Sequence, residues 1–190
     1  MKKINRFIKY ILFQLPQKIK IKLLSDCKNL EGKANLIQPV LISGKGKINF
    51  KNNINFGIKR SPFFYNSYSY IEARGKNSLI EIRNNVSINN NFVLISQNSI
   101  IIDDNTLIGF NFEAIDSDFH SLEASKRLTD KGISLPIYIG KNVFIGNNVK
   151  ILKGVNIGEN SVIGNSSVVT KDVPANCIYA GIPAKFIKEL

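Results

Sequence analysis

The chain has 190 residues, a formal net charge of +12, two cysteines and a single histidine. This length is sufficient for one domain with a substantial hydrophobic core that needs no covalent staples. Cys27 and Cys177 have neither CxxC nor zinc-ligand spacing, and one histidine excludes a three-histidine zinc centre, so we expect no metal and a reduced, cytoplasmic protein.

The N-terminal segment, residues 1–30, carries much of the positive charge, with eight Lys or Arg and one Asp. Its apolar residues share one helical face, which predicts a short amphipathic helix that Pro16 ends or kinks. The following KIKIKLL fits a strand or a helix. The apolar face consists of Ile4, Ile8, Ile11, Leu12 and Leu15.

Two roles are open for this segment. A basic, apolar helix is typical of proteins that lie on an anionic membrane, which predicts a peripheral membrane contact through residues 1–24. Alternatively, the apolar face caps one end of the following domain or packs on a neighbouring subunit. Lys9, Gln14 and Pro16 interrupt the apolar run, so we expect neither a spanning helix nor a signal peptide.

Downstream, an aliphatic residue recurs at every sixth position, and this period continues with interruptions to the C-terminal region. Clear hexads begin at Ile82, Ile88, Leu94, Ile102 and Ile108, and weaker coils are indicated by Ile48, Phe50, Ile54 and Phe56. The aromatic segment from Ser61 to Tyr70 interrupts the pattern, and we interpret it as a loop or a distorted coil. A second interruption leaves the pattern near Asp116 and returns near Pro136.

The repeat is most regular from residue 139 onward. Its six frames begin with Ile139, Ile145, Ile151, Ile157, Ile163 and Val169, and their fifth places hold only Val or Ser. This period belongs to hexapeptide solenoids, in which each hexad forms a strand and a corner and three hexads close one triangular coil. Glycine and asparagine tolerate positive φ at the corners, which accounts for 24 asparagines. We assign residues 31–190 to one all-β solenoid with a protruding loop at 116–136.

The protruding loop contains His120, the only histidine. In phase with Ile108 and Ala114, it fits an inward core position, but Asp116, Asp118, Ser121 and Glu123 around it do not suit an apolar core. A histidine beside carboxylates on an accessible loop is suited to general-base chemistry, because a carboxylate or a carbonyl fixes the tautomer and the other nitrogen accepts a proton. Asp118 either orients His120 or caps a turn.

The segment from Pro136 to the C-terminus, with its closing VVTKDVP and AGIPAK, resembles the hexapeptide-repeat acyltransferases, and most closely the galactoside, maltose and surface-polysaccharide O-acetyltransferases. The resemblance covers about residues 80–190. It implies a left-handed parallel β-helix, an exception to the usual right-handed crossover. It also implies a homotrimer with acetyl-CoA between adjacent subunits and an acetyl transfer to a hydroxyl of a cell-surface saccharide or its precursor.

The resemblance also implies roles for single residues. DSDFH corresponds to the active-site loop, which makes His120 the general base and Asp118 its neighbour. Backbone N–H groups near Gly146 and Asn147 are expected to stabilise the oxyanion. Asn89 and Phe144 correspond to acceptor-side positions; Phe144 stands where many relatives have Trp. The positions expected to line the acetyl-CoA groove are Gly146, Asn147, Asn165, Thr170, Lys171, Lys185 and Lys188.

Each of these positions also has a purely structural interpretation. The asparagines and Thr170 fit prism corners, and the lysines fit a solvated basic end. An antibiotic acetyltransferase of the same fold and a non-catalytic scaffold remain alternatives. Nucleic-acid binding is disfavoured, because the charge clusters at one end without a stacking motif. Asn165 replaces a small residue usual in relatives, so we expect the contacts with CoA to differ from theirs. The N-terminal third lacks their helical acceptor-binding segment, so the acceptor is not identified.

Overall fold

The computed structural model describes residues 7–190, and three mainly parallel sheets enclose its core. Ile4 and the basic residues at positions 2, 3 and 6 lie outside the described residues. Successive strands pass from face A to face B to face C. Three strands therefore complete one coil, and six coils stack into a prism. Sides of six residues and coils of eighteen are the dimensions of the left-handed parallel β-helix that the sequence predicts.

The strands are short, as six-residue sides require. Face A contains β1 (Leu30–Glu31), β4 (Lys47–Phe50), β7 (Leu79–Ile82), β10 (Ser99–Ile102), β13 (Ile137–Ile139) and β16 (Asn156–Ile157). Face B contains β2 (Asn35–Leu36), β5 (Asn55–Phe56), β8 (Ser87–Ile88), β11 (Leu107–Ile108), β14 (Phe144–Ile145), β17 (Val162–Ile163), β19 (Cys177–Gly181) and β20 (Ala184–Glu189). Face C contains β3 (Val40–Gly44), β6 (Ser69–Ala73), β9 (Val93–Ser96), β12 (Glu113–Ile115), β15 (Lys150–Leu152) and β18 (Val168–Val169).

The aliphatic first places of the repeat form the core. Ile139, Ile145, Ile151, Ile157, Ile163 and Val169 are at most 1% exposed, and the Val and Ser side chains of the fifth places are buried beside them. The upstream hexads predicted from Ile82, Ile88, Leu94, Ile102 and Ile108 also point inward. The predicted inward pattern is therefore confirmed along the prism. Burial of this continuous apolar column is the main source of stability.

Asparagine occupies the corners for its backbone conformation. In the C-terminal coils, the fourth place of the hexad has positive φ, as at Asn142 (57°), Asn148 (57°) and Asn160 (61°). The side-chain amides stack between coils, with Nδ2 of Asn142 donating to Oδ1 of Asn160 at 3.0 Å. Gly154, also at a fourth place, has a φ of 79° as expected, but the same expectation was wrong for the glycines at the second place. Gly146 and Gly158 do not have positive φ; a Cβ there would lie 2.4 Å from Oδ1 of Asn165 or 2.3 Å from the Ala175 nitrogen, so close stacking requires glycine.

Most of the variation in coil length falls at one edge of the prism. From the second to the sixth coil, the A-to-B spacing between equivalent core positions is always six residues, as from Ile139 to Ile145. The C-to-A spacing varies from six to 25 residues. We call this the C–A edge. The remaining corner, the B–C edge, carries one insertion, the loop 57–68 between β5 and β6.

The N-terminal part is helical from residue 7 to residue 24, with a π-helical stretch at Tyr10–Gln14 followed by α1 (Leu15–Leu24). The helix therefore continues through Pro16, and KIKIKLL is helical. The π-helical stretch accommodates the proline, because Leu15 N–H already bonds to the Tyr10 carbonyl oxygen one residue further back than in an α-helix. No helix within residues 7–190 is long and apolar enough to cross a membrane.

Candidate active site

The loop that carries His120 is an antiparallel stem on the C–A edge. It leaves face C after Ile115 and reaches face A at Ile137, close to the predicted limits. Bridges join Ser117 to Ser134 and His120 to Lys131. The two strands of the stem approach so closely at Gly132 that a Cβ there would lie 2.5 Å from the His120 carbonyl oxygen. The loop is therefore an ordered hairpin rather than a slack connection.

Asp116 anchors the base of this hairpin. It is fully buried, and its carboxylate accepts hydrogen bonds from the Ser96 hydroxyl at 2.6 Å and from the Gln97 and Asn98 backbone N–H groups at 2.7 and 2.9 Å. These three bonds satisfy a carboxylate that would be costly to bury alone. Asp116 thus fixes the point at which the chain leaves the prism.

His120 is exposed, not an inward core residue. Its Nδ1 lies 3.2 Å from the Arg127 carbonyl oxygen. A carbonyl only accepts, so this bond requires the proton on Nδ1 and leaves Nε2 with a lone pair. Nε2 has no hydrogen-bond partner among residues 7–190. The ring is therefore held in the tautomer that accepts a proton at Nε2.

Asp118 contacts His120 through the backbone only. The His120 N–H donates to the Asp118 carbonyl oxygen at 2.7 Å, whereas the Asp118 carboxylate accepts from Lys153 Nζ at 2.7 Å. Both side chains of this ion pair are less than a third exposed. The carboxylate does not hold the imidazole, and Lys153 ties the hairpin to the next coil instead.

An arginine on the preceding coils supports the residue next to His120. The Arg74 guanidinium lies 4.4 Å from the centre of the Phe119 ring, and Phe119 has a positive φ of 60°. Arg74 donates two hydrogen bonds to Glu72, at 3.0 and 2.7 Å, and Glu72 accepts a third from the Tyr70 hydroxyl. Burial, and then this hydrogen bond, raise the pKa of Tyr70 to about 12. The hydrogen bond to Glu72 also raises the pKa of Arg74, so Tyr70 stays protonated and Arg74 stays charged across the physiological range.

The residues expected at the oxyanion lie on the B–C edge, and their backbone donors are occupied. Gly146 N–H donates to the Ile163 carbonyl oxygen at 2.9 Å, and Asn147 N–H donates to Oδ1 of Asn165 at 2.7 Å. Both N–H groups thus have acceptors within the prism, and their role at an oxyanion stays a prediction. The Asn165 side chain occupies the Asn147 N–H, whereas the Gly146 N–H belongs to the parallel ladder between β14 and β17.

The other predicted residues are distributed over three places. Thr170 and Lys171 lie exposed on the C–A edge beyond β18, and Asn89 lies on the B–C edge, where its Oδ1 accepts from Asn90 N–H at 2.7 Å. Phe144 is 52% exposed on face B. Lys185 and Lys188 are exposed on β20, which pairs antiparallel with β19 at the end of face B.

One chain therefore does not bring the predicted residues into a single site. His120, Asp118, Thr170 and Lys171 share the C–A edge, whereas Asn89, Gly146, Asn147 and Asn165 share the B–C edge. Face C separates the two edges, and its six residues per side at ~3.3 Å each span roughly 15–20 Å. A complete site requires either a donor molecule long enough to cross this face or two chains placed side by side.

Residues 136–171 match the family model of the bacterial transferase hexapeptide, with six repeats. This segment therefore carries hexapeptide repeats of the bacterial transferase type. Comparison with curated proteins finds no match.

Solved structures extend the hexapeptide-repeat likeness beyond the matched segment. A galactoside acetyltransferase in complex with coenzyme A is 27% identical, with a TM-score of 0.60 over 92% of this chain and 80% of that one. The polySia-specific acetyltransferase NeuO is 29% identical, with a TM-score of 0.59 over 86% and 83%. An acetyltransferase from Vibrio cholerae O1 biovar eltor, complexed with acetyl coenzyme A, is 25% identical, with a TM-score of 0.50 over 94% and 79%.

Several residues that hold the His120 hairpin in place could not be identified from the sequence. Lys153 occupies the third place of its hexad, where lysine, asparagine and glutamate occur throughout, so nothing marks its pairing with Asp118. Arg74 lies 45 residues before Phe119 in a part of the chain with weak periodicity. Gly132 alone carried a usable signal, because an isolated glycine in a charged loop indicates a close backbone approach.

Proposed function

We propose that this chain is an acetyl-CoA-dependent O-acetyltransferase that acts on a hydroxyl group of a cell-surface saccharide or its precursor. The observation that carries the proposal is the state of His120: an exposed imidazole whose Nδ1 is held by the Arg127 carbonyl and whose Nε2 is left to accept a proton. The similar galactoside acetyltransferase and the polySia-specific acetyltransferase support acetyl transfer to a carbohydrate.

In the proposed reaction, Nε2 of His120 takes the proton of the acceptor hydroxyl while its oxygen attacks the thioester carbonyl of acetyl-CoA. The tetrahedral oxyanion then collapses, the C–S bond breaks, and CoA leaves as a thiol after taking the proton from the imidazolium. The Arg127 carbonyl bonds to Nδ1–H throughout and stabilises the imidazolium. On the B–C edge, the Asn147 N–H donates a hydrogen bond to the oxyanion once the Asn165 side chain turns away from it.

We further propose a homotrimer in which the C–A edge of one chain faces a neighbouring chain's donor-binding edge. The separation of the predicted residues on two edges supports this arrangement, since neither edge alone carries both the base and the full acetyl-CoA groove. Light scattering should give three times 21.3 kDa. A monomer with full turnover would contradict the shared site.

We also infer that the enzyme works at the cytoplasmic face of a membrane. The first thirty residues carry eight Lys or Arg against one Asp, and the cytoplasmic leaflet is anionic. A membrane position would bring the enzyme to acceptors assembled on lipid carriers.

The test of the function is acetyl-CoA-dependent thiol release with a panel of saccharide acceptors, and identification of the acetyl ester by mass spectrometry. His120→Ala should lower turnover by about two to four orders of magnitude, the usual contribution of a general base, while acetyl-CoA binding is retained. The control is Lys131→Ala, an exposed residue on the facing strand of the same stem. Turnover retained in His120→Ala would exclude the proposed mechanism.

A further inference from the structure

Two segments that are distant in the sequence form one surface at the N-terminal end of the prism. The first is the helical part, residues 7–24, and the second is the loop 57–68 on the B–C edge. We call their combined outer side the N-terminal surface.

Two glutamines join the two segments. Gln14, which is 4% exposed, donates from Nε2 to the Phe64 carbonyl oxygen at 3.0 Å, and Gln17 donates to the Ser67 carbonyl oxygen at 2.8 Å. Ile21 is buried on the same side of the helix, which packs against β3. The helix is thereby attached along one narrow side, and its remaining surface faces outward.

The loop is held from below by a second set of buried amides. Asn90 is fully buried and donates from Nδ2 to the carbonyl oxygens of Ile58 and Pro62, at 3.0 and 2.8 Å. Gln38, which is 1% exposed, donates to the Phe63 carbonyl oxygen at 2.9 Å. These bonds satisfy the loop backbone from the prism side. Phe64 is buried, whereas Tyr65 and Tyr68 face the exterior.

The exterior of this surface is strongly apolar. Leu12, Phe13 and Leu23 are 61%, 56% and 80% exposed on the helix, and Tyr65 and Tyr68 are 55% and 44% exposed on the loop. A shallow groove on the helix is lined by Ile11, Leu15, Ile19 and Leu23. An exposed patch of this kind on a folded protein marks an interaction site.

The charges on the N-terminal surface have one sign. Residues 7–24 contain four lysines and loop 57–68 contains Lys59 and Arg60, and neither segment contains Asp or Glu. Two copies of such a surface placed face to face would bring like charges together. An anionic bilayer matches both properties, because its headgroups attract the basic residues and its acyl boundary accepts the apolar and aromatic ones.

We propose that the N-terminal surface docks on an anionic phospholipid bilayer, and that loop 57–68 contacts the bilayer together with the helix. The inference deepens the proposed membrane position by naming the contacting surface and is independent of the acetyl-transfer chemistry. Tyrosines on the loop suit the headgroup level, where an aromatic ring and a polar tip are both accommodated. The helix cannot approach the bilayer without the loop, since the glutamine bonds fix the two together.

Co-sedimentation of the full chain with vesicles tests the proposal. We expect binding to phosphatidylcholine vesicles that contain 30% phosphatidylglycerol, release by 0.5 M salt, and little binding to phosphatidylcholine alone. Lys59→Gln/Arg60→Gln should weaken partitioning about thirty-fold, the equivalent of ~1 kcal/mol per charge. The matched control, Lys76→Gln/Lys141→Gln, removes two exposed charges elsewhere and should weaken it less than threefold.

A second variant tests the apolar contribution of the loop without changing charge. Tyr65→Ser/Tyr68→Ser should weaken binding at least about fivefold, whereas Leu190→Ser, which alters an exposed apolar residue at the other end of the chain, should have no effect. Wild-type-like binding by both loop variants would overturn the role of the loop. Binding that ignores salt and lipid charge would overturn the proposal, and so would loss of self-association in the loop variants. Thiol release with a soluble acceptor, measured in parallel, distinguishes these failures from failure of the proposed function.

Discussion

A single backbone carbonyl determines which nitrogen of the neutral His120 ring carries the proton. The Arg127 carbonyl oxygen lies 3.2 Å from Nδ1, and its position depends on the hairpin that carries both residues. Because this acceptor is part of the main chain, no side-chain substitution removes it directly. Residues that hold the hairpin therefore influence the base through its position.

Arg74 is the residue best placed to exert this influence. Arg74→Ala removes the contact with the Phe119 ring and should lower kcat about tenfold with the KM for acetyl-CoA unchanged, because the base is displaced while the donor groove is intact. Arg74→Lys should recover part of kcat, since an ammonium retains the charge but not the two bonds to Glu72.

Arg83 provides the matched control on face A. It donates to Glu81 and Asp103 at 2.9 Å each and belongs to a comparable ionic network that includes no residue of the hairpin. Arg83→Ala should therefore leave kcat unchanged. Equal losses of kcat in the two alanine variants would show that the effect of Arg74 is general destabilisation rather than positioning.

Within a single hexad, the positive φ of the corner asparagine can be tested by substitution. Asn142 has a φ of 57° and an exposed side chain. Asn142→Gly and Asn142→Ala both lose the amide ladder, but only alanine is strained in this conformation. We expect Asn142→Ala to be less stable than Asn142→Gly by about 1 kcal/mol in denaturant unfolding.

The neighbouring Lys141 gives the reverse control. Its φ is not positive, so alanine should be at least as stable there as glycine. If Asn142→Ala were as stable as Asn142→Gly, the asparagine would be required only for its side-chain hydrogen bonds between coils.

The lysines beyond the last coil permit a test of the donor groove. Lys171 and Lys188 are exposed and form no ion pair within the described part of the chain. Lys171→Ala and Lys188→Ala should raise the KM for acetyl-CoA more than the KM for the acceptor, and added salt should have the same effect by screening phosphate contacts. Lys141→Ala serves as the control. An effect on the acceptor KM alone would show that the acetyl-CoA groove lies on another face.

For the whole molecule, the prism was predictable because its core repeats at a fixed period. Ile139 and the equivalent positions define the three faces, and the hairpin limits follow from the point where Ile is replaced by polar residues. The continuous helix through Pro16 was not predictable, since a π-helical stretch leaves no mark in the sequence. The Asn147–Asn165 contact was equally hidden, because it depends on the stacking of two coils rather than on either corner alone.

At the C–A edge, the number of residues between two strands can change without changing how the strands stack. Equivalent core positions across this edge are six residues apart between Ile151 and Ile157 and 25 apart between Ala114 and Ile139, yet both coils keep the same parallel register. Insertions at this edge therefore add new surface without moving a single core side chain. Hairpins of different length and sequence can therefore be accommodated at this edge while the stacked coils that support them keep their register.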